Sequence, residues 1–202
     1  MDTEQTFRLL FWILFGVLLV IRGVSALRVR QAGERLMPDQ AAIKREGIAS
    51  FGLRFVAFFV LIGFLVTYAV YPPWMASLTI PLPAWVRWFS FILGLAGLGL
   101  LAWTQAELGK QWSAQLQLRA DHQLVTSGPY TRVRHPLYTA MFAFGIAFAL
   151  VTANWVFFGF ALLVITGLFL RVPKEEQMML EEFGDQYRSY MDHTGRFLPK
   201  VL

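Results

Sequence analysis

The chain has 202 residues, 56% of them hydrophobic and only 15% charged, with a positive mean hydropathy of +0.51, a balance that excludes an ordinary soluble domain. Its formal charge of +5 is not a nucleic-acid footprint, because the basic residues sit in short connectors between apolar runs and not on a soluble basic face. No cysteine is present, which excludes disulfides, thiolate metal sites and cysteine nucleophiles.

Apolar runs of bilayer length occupy most of the chain. The first is expected over Phe7–Leu27; it lacks a small-residue cleavage site after a short apolar core and reads as a retained helix, with Arg22 snorkelling from its end. The second covers Ile48–Tyr71 and stops at Pro72-Pro73, where helical hydrogen bonding cannot continue. The third runs over Trp85–Ala106. The stretch 107–135 is too polar to span. Two shorter apolar segments, Pro136–Thr152 and Trp155–Val172, meet at "TANW" and predict a tight helical hairpin. The tail from Lys174 opens as an amphipathic helix. The expected fold is therefore an all-α integral membrane protein of about five transmembrane helices. It forms one membrane domain over 1–202, with three spans in 1–106 and the hairpin 136–172 inside a distinct C-terminal half, 107–202.

The distribution of arginine and lysine orients these spans. The connector after span one carries Arg28, Arg30, Arg35, Lys44 and Arg45; the one after span three carries Lys110, Arg119, Arg132 and Arg134; the tail carries Lys174, Arg188, Arg196 and Lys200. The loops after spans two and four carry none. This pattern puts the N-terminus outside and both polar segments of the C-terminal half, with the C-terminus, on the cytoplasmic side.

Gly94–Gly99, "GLAGLG", has glycine spacing close to a nucleotide fingerprint but lies within an apolar span, where small residues serve close helix packing. Arg171 and Glu175 share a helical face at i, i+4. Pro173 between them fits the first turn of a new helix. The pair is either a snorkelling arginine with a surface partner or part of a site. His135-Pro136 opens the fourth span beside Arg132 and Arg134, with Tyr130 and Tyr138 on either side; exposed amides at such a helix start, together with arginines, favour a carboxylate or phosphate. A positive-inside anchor accounts for the two arginines but not for His135. The three histidines, His122, His135 and His193, show neither metal-ligand spacing nor a mid-span haem position, so no metal site is assigned. No Gly-x-Ser-x-Gly elbow is found.

The runs "LGKQWSAQLQ", "HQLVTSGPYTRVRHPLY", "RVPKEEQMMLEEFGDQYRSYM" and "TGRFLPK" together resemble the isoprenylcysteine carboxyl methyltransferase family and the phospholipid methyltransferases grouped with it. The resemblance runs in order from about residue 107 to 200. It implies a membrane enzyme using S-adenosyl-L-methionine without a soluble Rossmann fold, with a cofactor pocket on the cytoplasmic side formed by the C-terminal half. Carried over by motif, Gln115, His122, Gln123, Leu124, Val125, Tyr130, His135, Pro136, Leu137, Tyr138 and Glu175 match cofactor contacts, and Arg171 matches a substrate-contacting arginine. Where eukaryotic members often carry further acids, this chain has Val172, Pro173 and Lys174, which bears on substrate identity.

The implied chemistry is methyl transfer to a membrane-resident acceptor, foremost the carboxylate of a prenylcysteine-like or other lipophilic compound. Glu175 would hold the cofactor's ammonium, the His135–Tyr138 helix start its carboxylate, and Leu124 and Val125 its adenine. Arg171 would orient the acceptor carboxylate bidentately. The alternatives are N-methylation of a phospholipid headgroup, an NADPH-dependent membrane reductase and a non-catalytic amphiphile sensor. Expected partners are membrane lipids and a lipophilic or lipidated substrate, with no nucleic acid; oligomeric state is not legible.

Overall fold

A computed structural model of the protein describes residues 3–31, 48–109 and 124–200. These form six α-helices: α1 (Thr3–Gln31), α2 (Ile48–Val70), α3 (Ala84–Leu108), α4 (Pro136–Thr152), α5 (Trp155–Phe183) and α6 (Asp185–His193). Two short 3-10 turns, Pro73–Leu78 and Gly128–Thr131, lie between them. Among the described residues the only β pairing consists of two isolated bridges, Thr79 with Asn154 and Val133 with Gly195.

Helices α1, α3 and α5 are each long and apolar enough to cross a membrane, while Phe58–Val70 and Pro136–Thr152 are shorter apolar helices. The protein is a multi-pass integral membrane protein. Large apolar side chains such as Val20, Phe59, Ile92 and Leu163 are exposed along these helices, as a lipid-facing surface requires. Trp74, Trp85, Trp88 and Trp155 stand exposed around one end of the bundle, the place where amphipathic indole rings mark a membrane–water interface. We refer to this as the tryptophan end and to the opposite one, where α4 begins and α5 finishes, as the carboxylate end.

The helix limits follow local chemistry. Helix α2 ends at Val70, before Tyr71 at a positive φ of 52° and Pro72-Pro73, whose missing amides cannot continue helical hydrogen bonding. Pro83 precedes α3, and Pro136 occupies the first turn of α4, with its missing amide where no partner is needed. The α4–α5 hairpin closes through Ala153 in the left-handed region, φ 47°. Asn154 then caps α5 by accepting from the Val156 amide at 3.0 Å.

Two expectations are corrected. Helix α1 runs beyond Phe7–Leu27 at both ends, so Arg22 lies well inside it and not near its end. Pro173 does not open a new helix but sits inside α5. Proline here removes one hydrogen bond and crowds the preceding turn, at a cost of about 3 kcal/mol. It does so on an exposed position, while Val172 and Glu176, four residues apart, are buried and hold the helix against the bundle on both sides of it.

The core joins α1, α2, α4 and α5 through rings. Phe11 lies 4.8 Å from Tyr68, 4.5 Å from Phe148 and 5.3 Å from Phe157 between centroids, distances at which aromatic pairs add to simple packing. Leu98 and Leu101 bring α3 into the same cluster. Within lipid this is contact energy and not removal from water, so fit decides. Gly94 and Gly97 show the fit: a Cβ on Gly94 would stand 2.9 Å from Leu14, and one on Gly97 would stand 3.1 Å from the Phe144 amide. The packing reading of "GLAGLG" holds for these two glycines, whereas Gly99 has open space.

Candidate active site

The carboxylate end is assembled from the 124–135 connector, the first turn of α4, the last turns of α5 and the tail beyond α6. The connector turns at Gly128, φ 55°, where a Cβ would fall 2.8 Å from the Glu107 carboxylate; Ser127 hydrogen-bonds that same carboxylate. The turn leaves Tyr130 buried, its carbonyl accepting from the Tyr190 hydroxyl at 2.6 Å. Burial, with Tyr190 and the Glu175 carboxylate nearby, raises the Tyr130 phenol well above its ordinary value, which keeps it neutral.

The tail runs beside the connector. The Arg134 amide donates to Gly195 O at 2.8 Å, the His135 amide to Arg196 O at 3.0 Å, and the Gly195 amide to Arg132 O at 3.1 Å. Thr139 Oγ1 adds a bond to Phe197 O at 2.6 Å. The start of α4 is therefore held in place by residues some 60 positions further along the chain.

Helix α5 delivers two consecutive carboxylates here. Glu175 Oε1 accepts from the Tyr138 hydroxyl at 2.6 Å and from Arg171 Nε at 2.8 Å. Its Oε2 lies 3.8 Å from His135 Nδ1, outside hydrogen-bond range, so it keeps acceptor capacity. The His135 and Tyr138 rings stack at 5.6 Å with 8° between planes. Glu176, about 100° further round the helix, meets a different set. Its Oε1 accepts from Arg134 Nε at 3.1 Å, His135 Nε2 at 3.3 Å and Arg196 Nε at 3.2 Å. Its Oε2 takes Arg196 Nη2.

The structure thus brings His135, Tyr138, Arg171 and Glu175 into one cluster. Pro136 is buried at the helix start, and Leu137 packs against the hydrophobic core. Leu124 and Val125 are half-buried; Leu124 lines a recess of about 340 Å³ together with Thr126, Thr131, Ser189, Tyr190 and His193. Gln115, His122 and Gln123 lie outside the described residues.

Sequence reasoning misplaced Arg134 and missed Glu176, Arg196 and Thr194. Arg134 is not a free topology anchor: its guanidinium is enclosed, with Nη1 donating to Met191 O at 3.1 Å and to Thr194 O. Its charge is met by Glu176, so the helix start has no free cation from Arg134 for an anionic ligand. The available signal was Glu176 itself, an ionisable residue adjoining an apolar span, which calls for a partner. Arg132 is exposed, as a topology anchor would be. Among the described residues no group of three histidine, aspartate or glutamate side chains gathers to hold a metal.

The chain is similar to known proteins over its C-terminal half. The sequence model of the isoprenylcysteine carboxyl methyltransferase family matches residues 90–181. A protein-S-isoprenylcysteine O-methyltransferase from Schizosaccharomyces pombe is 33% identical over 82 residues, 40% of this chain and 35% of that one. The nickel-cobalt-cadmium resistance protein NccN from Alcaligenes xylosoxydans xylosoxydans is 28% identical over 108 residues, 53% of this chain and 51% of that one. The match therefore spans about half the length, or less, of these relatives. Among solved structures, a eukaryotic intramembrane Ras methyltransferase of the isoprenylcysteine carboxyl type superposes with a TM-score of 0.54. It is 24% identical, and the superposition covers 74% of this chain and 53% of that one, which shows a shared fold. The matched segment, which carries both α4 and the Arg171–Glu175 turn, is thus similar to the isoprenylcysteine carboxyl methyltransferase family.

Proposed function

We propose that this protein transfers a methyl group from S-adenosyl-L-methionine to the carboxylate of a lipophilic, membrane-resident acceptor of the prenylcysteine type. The observation that carries the reading is the Tyr138–Glu175–Arg171 cluster at the junction of an apolar hairpin and a polar tail. The relatives' names support it, since several are protein-S-isoprenylcysteine O-methyltransferases.

The residues present fit the cofactor's charged end. Glu175 Oε2 has acceptor capacity for an ammonium. Tyr138 and the α4 start face it from the neighbouring helix, and Leu124 and Val125 offer half-buried apolar surface for a planar base. When bound, the cofactor supplies a sulfonium-activated methyl group. The chain's own work is then positional: to align the acceptor oxygen and exclude water. Arg171, a permanently charged planar donor, is placed to fix an acceptor carboxylate. At about 1.5 Å per residue, residues 155–172 reach across about 27 Å, close to the hydrocarbon core, so Arg171 lies where the bilayer gives way to headgroups. The acceptor's apolar tail stays in lipid while its carboxylate reaches the cluster. The basic excess at this end supports a cytoplasmic active site and C-terminus with the N-terminus outside.

The test is calorimetric titration of the purified full chain with S-adenosyl-L-methionine and, separately, with NADPH. It is followed by transfer of labelled methyl to a prenylated cysteine bearing a free carboxylate, with its methyl ester and phosphatidylethanolamine vesicles as controls. Binding of the methyl donor alone, with labelling of the free acid only, is the expected outcome. Labelling of the phospholipid would assign headgroup N-methylation instead, and binding of NADPH alone would assign a reductase.

A further inference from the structure

Glu176 belongs to no contact that methyl transfer requires, yet it is the most densely bonded carboxylate at this end of the molecule among the described residues. Its side chain is 5% exposed, and it gathers side-chain nitrogens from two segments remote from α5: Arg134 and His135 of the connector, 42 and 41 residues away, and Arg196 of the tail, 20 residues away. A carboxylate engaged by two guanidinium groups is ionised and can only accept. The His135 nitrogen facing it must therefore carry a hydrogen, so Nε2 is protonated and Nδ1 is the edge turned toward Glu175.

We infer that Glu176 is a positioning residue of the active site: by holding His135 Nε2 while Arg134 and Arg196 hold its own carboxylate, it fixes which edge of the His135 ring faces Glu175. This rests on the proposed methyl-transfer site. A rigid histidine is consistent with the rest of the geometry. The His135 ring stacks on Tyr138, whose hydroxyl bonds Glu175, and its backbone amide is tied to Arg196 O. Loss of the Glu176 bond frees ring rotation about the remaining axis and blurs the surface that Tyr138 and Glu175 complete. Partners of this kind, one step removed from a ligand, commonly tune its binding by about tenfold or more, as they do behind metal ligands.

The deciding experiment uses the full chain in nanodiscs. In the ligand-free protein, nitrogen NMR of the histidine rings, assigned with His122 and His193 variants, is expected to show the His135 Nε2 signal move in Glu176→Gln. An unmoved signal overturns the inference. Calorimetry is expected to show S-adenosyl-L-methionine binding weakened about tenfold, a free-energy change of about 1.4 kcal/mol, with the acceptor KM changed less than about twofold. Glu176→Asp, which keeps the charge, is expected to recover most of this loss. In a His135→Ala background Glu176→Gln is expected to cost nothing further; an equal loss in both backgrounds marks a general structural role and overturns the inference. Should Glu176→Gln fail to fold, Arg196→Gln decides: it leaves the Arg134 and His135 bonds in place, so an unshifted His135 signal supports the inference. A shifted signal there assigns ring placement to the tail and overturns it. If the wild-type protein does not bind S-adenosyl-L-methionine, the functional reading fails, while the NMR arm still decides the role of Glu176.

Discussion

Each end of the bundle carries an arginine–glutamate cluster, and the two clusters do opposite things. At the tryptophan end Arg87 spends every nitrogen: Nε and Nη2 donate to Val151 O at 3.0 and 2.8 Å, and Nη1 and Nη2 reach Glu4 at 2.7 and 3.2 Å. Its guanidinium also lies 4.0 Å over the Phe7 ring, and its side chain is 6% exposed. Because Val151 lies in the last turn of α4, the arginine neutralises the carbonyl end of a helix dipole while tying α1, α3 and α4 together. At the carboxylate end Arg171 and Glu175 keep 18% and 21% of their side chains exposed, and Glu175 retains an oxygen beyond hydrogen-bond distance of His135. The contrast lies in the arginines: one that is buried with every nitrogen bonded serves the fold, whereas one that reaches the interface beside its glutamate is accessible to a ligand.

Arg171→Ala tests the open cluster most directly. Removing a donor that orients reacting charge typically costs about 100- to 1,000-fold in turnover, or about 2.7–4 kcal/mol. The expected outcome is a turnover loss of that order, with S-adenosyl-L-methionine affinity changed less than about twofold. Calorimetry and initial rates on the same preparation check both, and a variant normal in both would remove Arg171 from the site. The closed cluster should respond the other way. Arg87→Ala leaves Val151 O and Glu4 without their partner inside the packed end. Breaking a buried pair costs about 3–5 kcal/mol; Glu4 is 27% exposed, so solvent recovers part of this and about 2–3 kcal/mol remains. Denaturation is expected to shift accordingly while methyl-donor affinity of the folded fraction stays unchanged. A selective loss of affinity at full stability would erase the contrast between the two ends.

The sequence exposed the open end far better than the closed one. The limits of α4 match the expectation from Pro136 and the TANW hairpin, because helix punctuation is local chemistry. Arg171 and Glu175, four residues apart, meet as their spacing requires. The role of Arg87 is not legible in the sequence, since its partners lie 83 and 64 residues away and nothing within its own helix points to them. Arg134 reads as a topology anchor for a related reason: an arginine in a basic connector between apolar spans already has a sufficient explanation, and Glu176 lies 42 residues distant. The continuity of α5 through Pro173 was equally illegible, because it depends on what Val172 and Glu176 pack against and not on proline's own preference.

A smaller effect separates the approach to the site from its chemistry. Gly128→Ala must accept a left-handed backbone, which costs an L-residue about 1–2 kcal/mol, and pushes a methyl group toward Glu107. The turn that seats Tyr130 should loosen. The expected result is weakened methyl-donor binding with little change in global stability, seen as faster amide exchange confined to the 124–133 connector. Exchange rising throughout the bundle instead would show that this turn supports the fold as a whole.

The smallest expected effect lies in the closed end and has the opposite sign. Ala153 holds φ at 47°, a conformation costing an L-residue about 1–2 kcal/mol. The hairpin imposes it: the Ala153 carbonyl accepts from the Ile80 amide at 2.6 Å, and its own amide donates to Ala149 O at 3.0 Å. Glycine adopts this region freely but loses about 0.5–1 kcal/mol more chain entropy on folding. The alanine methyl is also fully buried and gives up some contact when removed. Ala153→Gly should therefore leave a net gain of about 0.5 kcal/mol, read as a slightly later midpoint in denaturation, with methyl-donor affinity and turnover unaltered. A gain in stability accompanied by lost turnover would mean that strain at the tryptophan end is felt through α4 at Tyr138, and the two ends would then have to be treated as coupled.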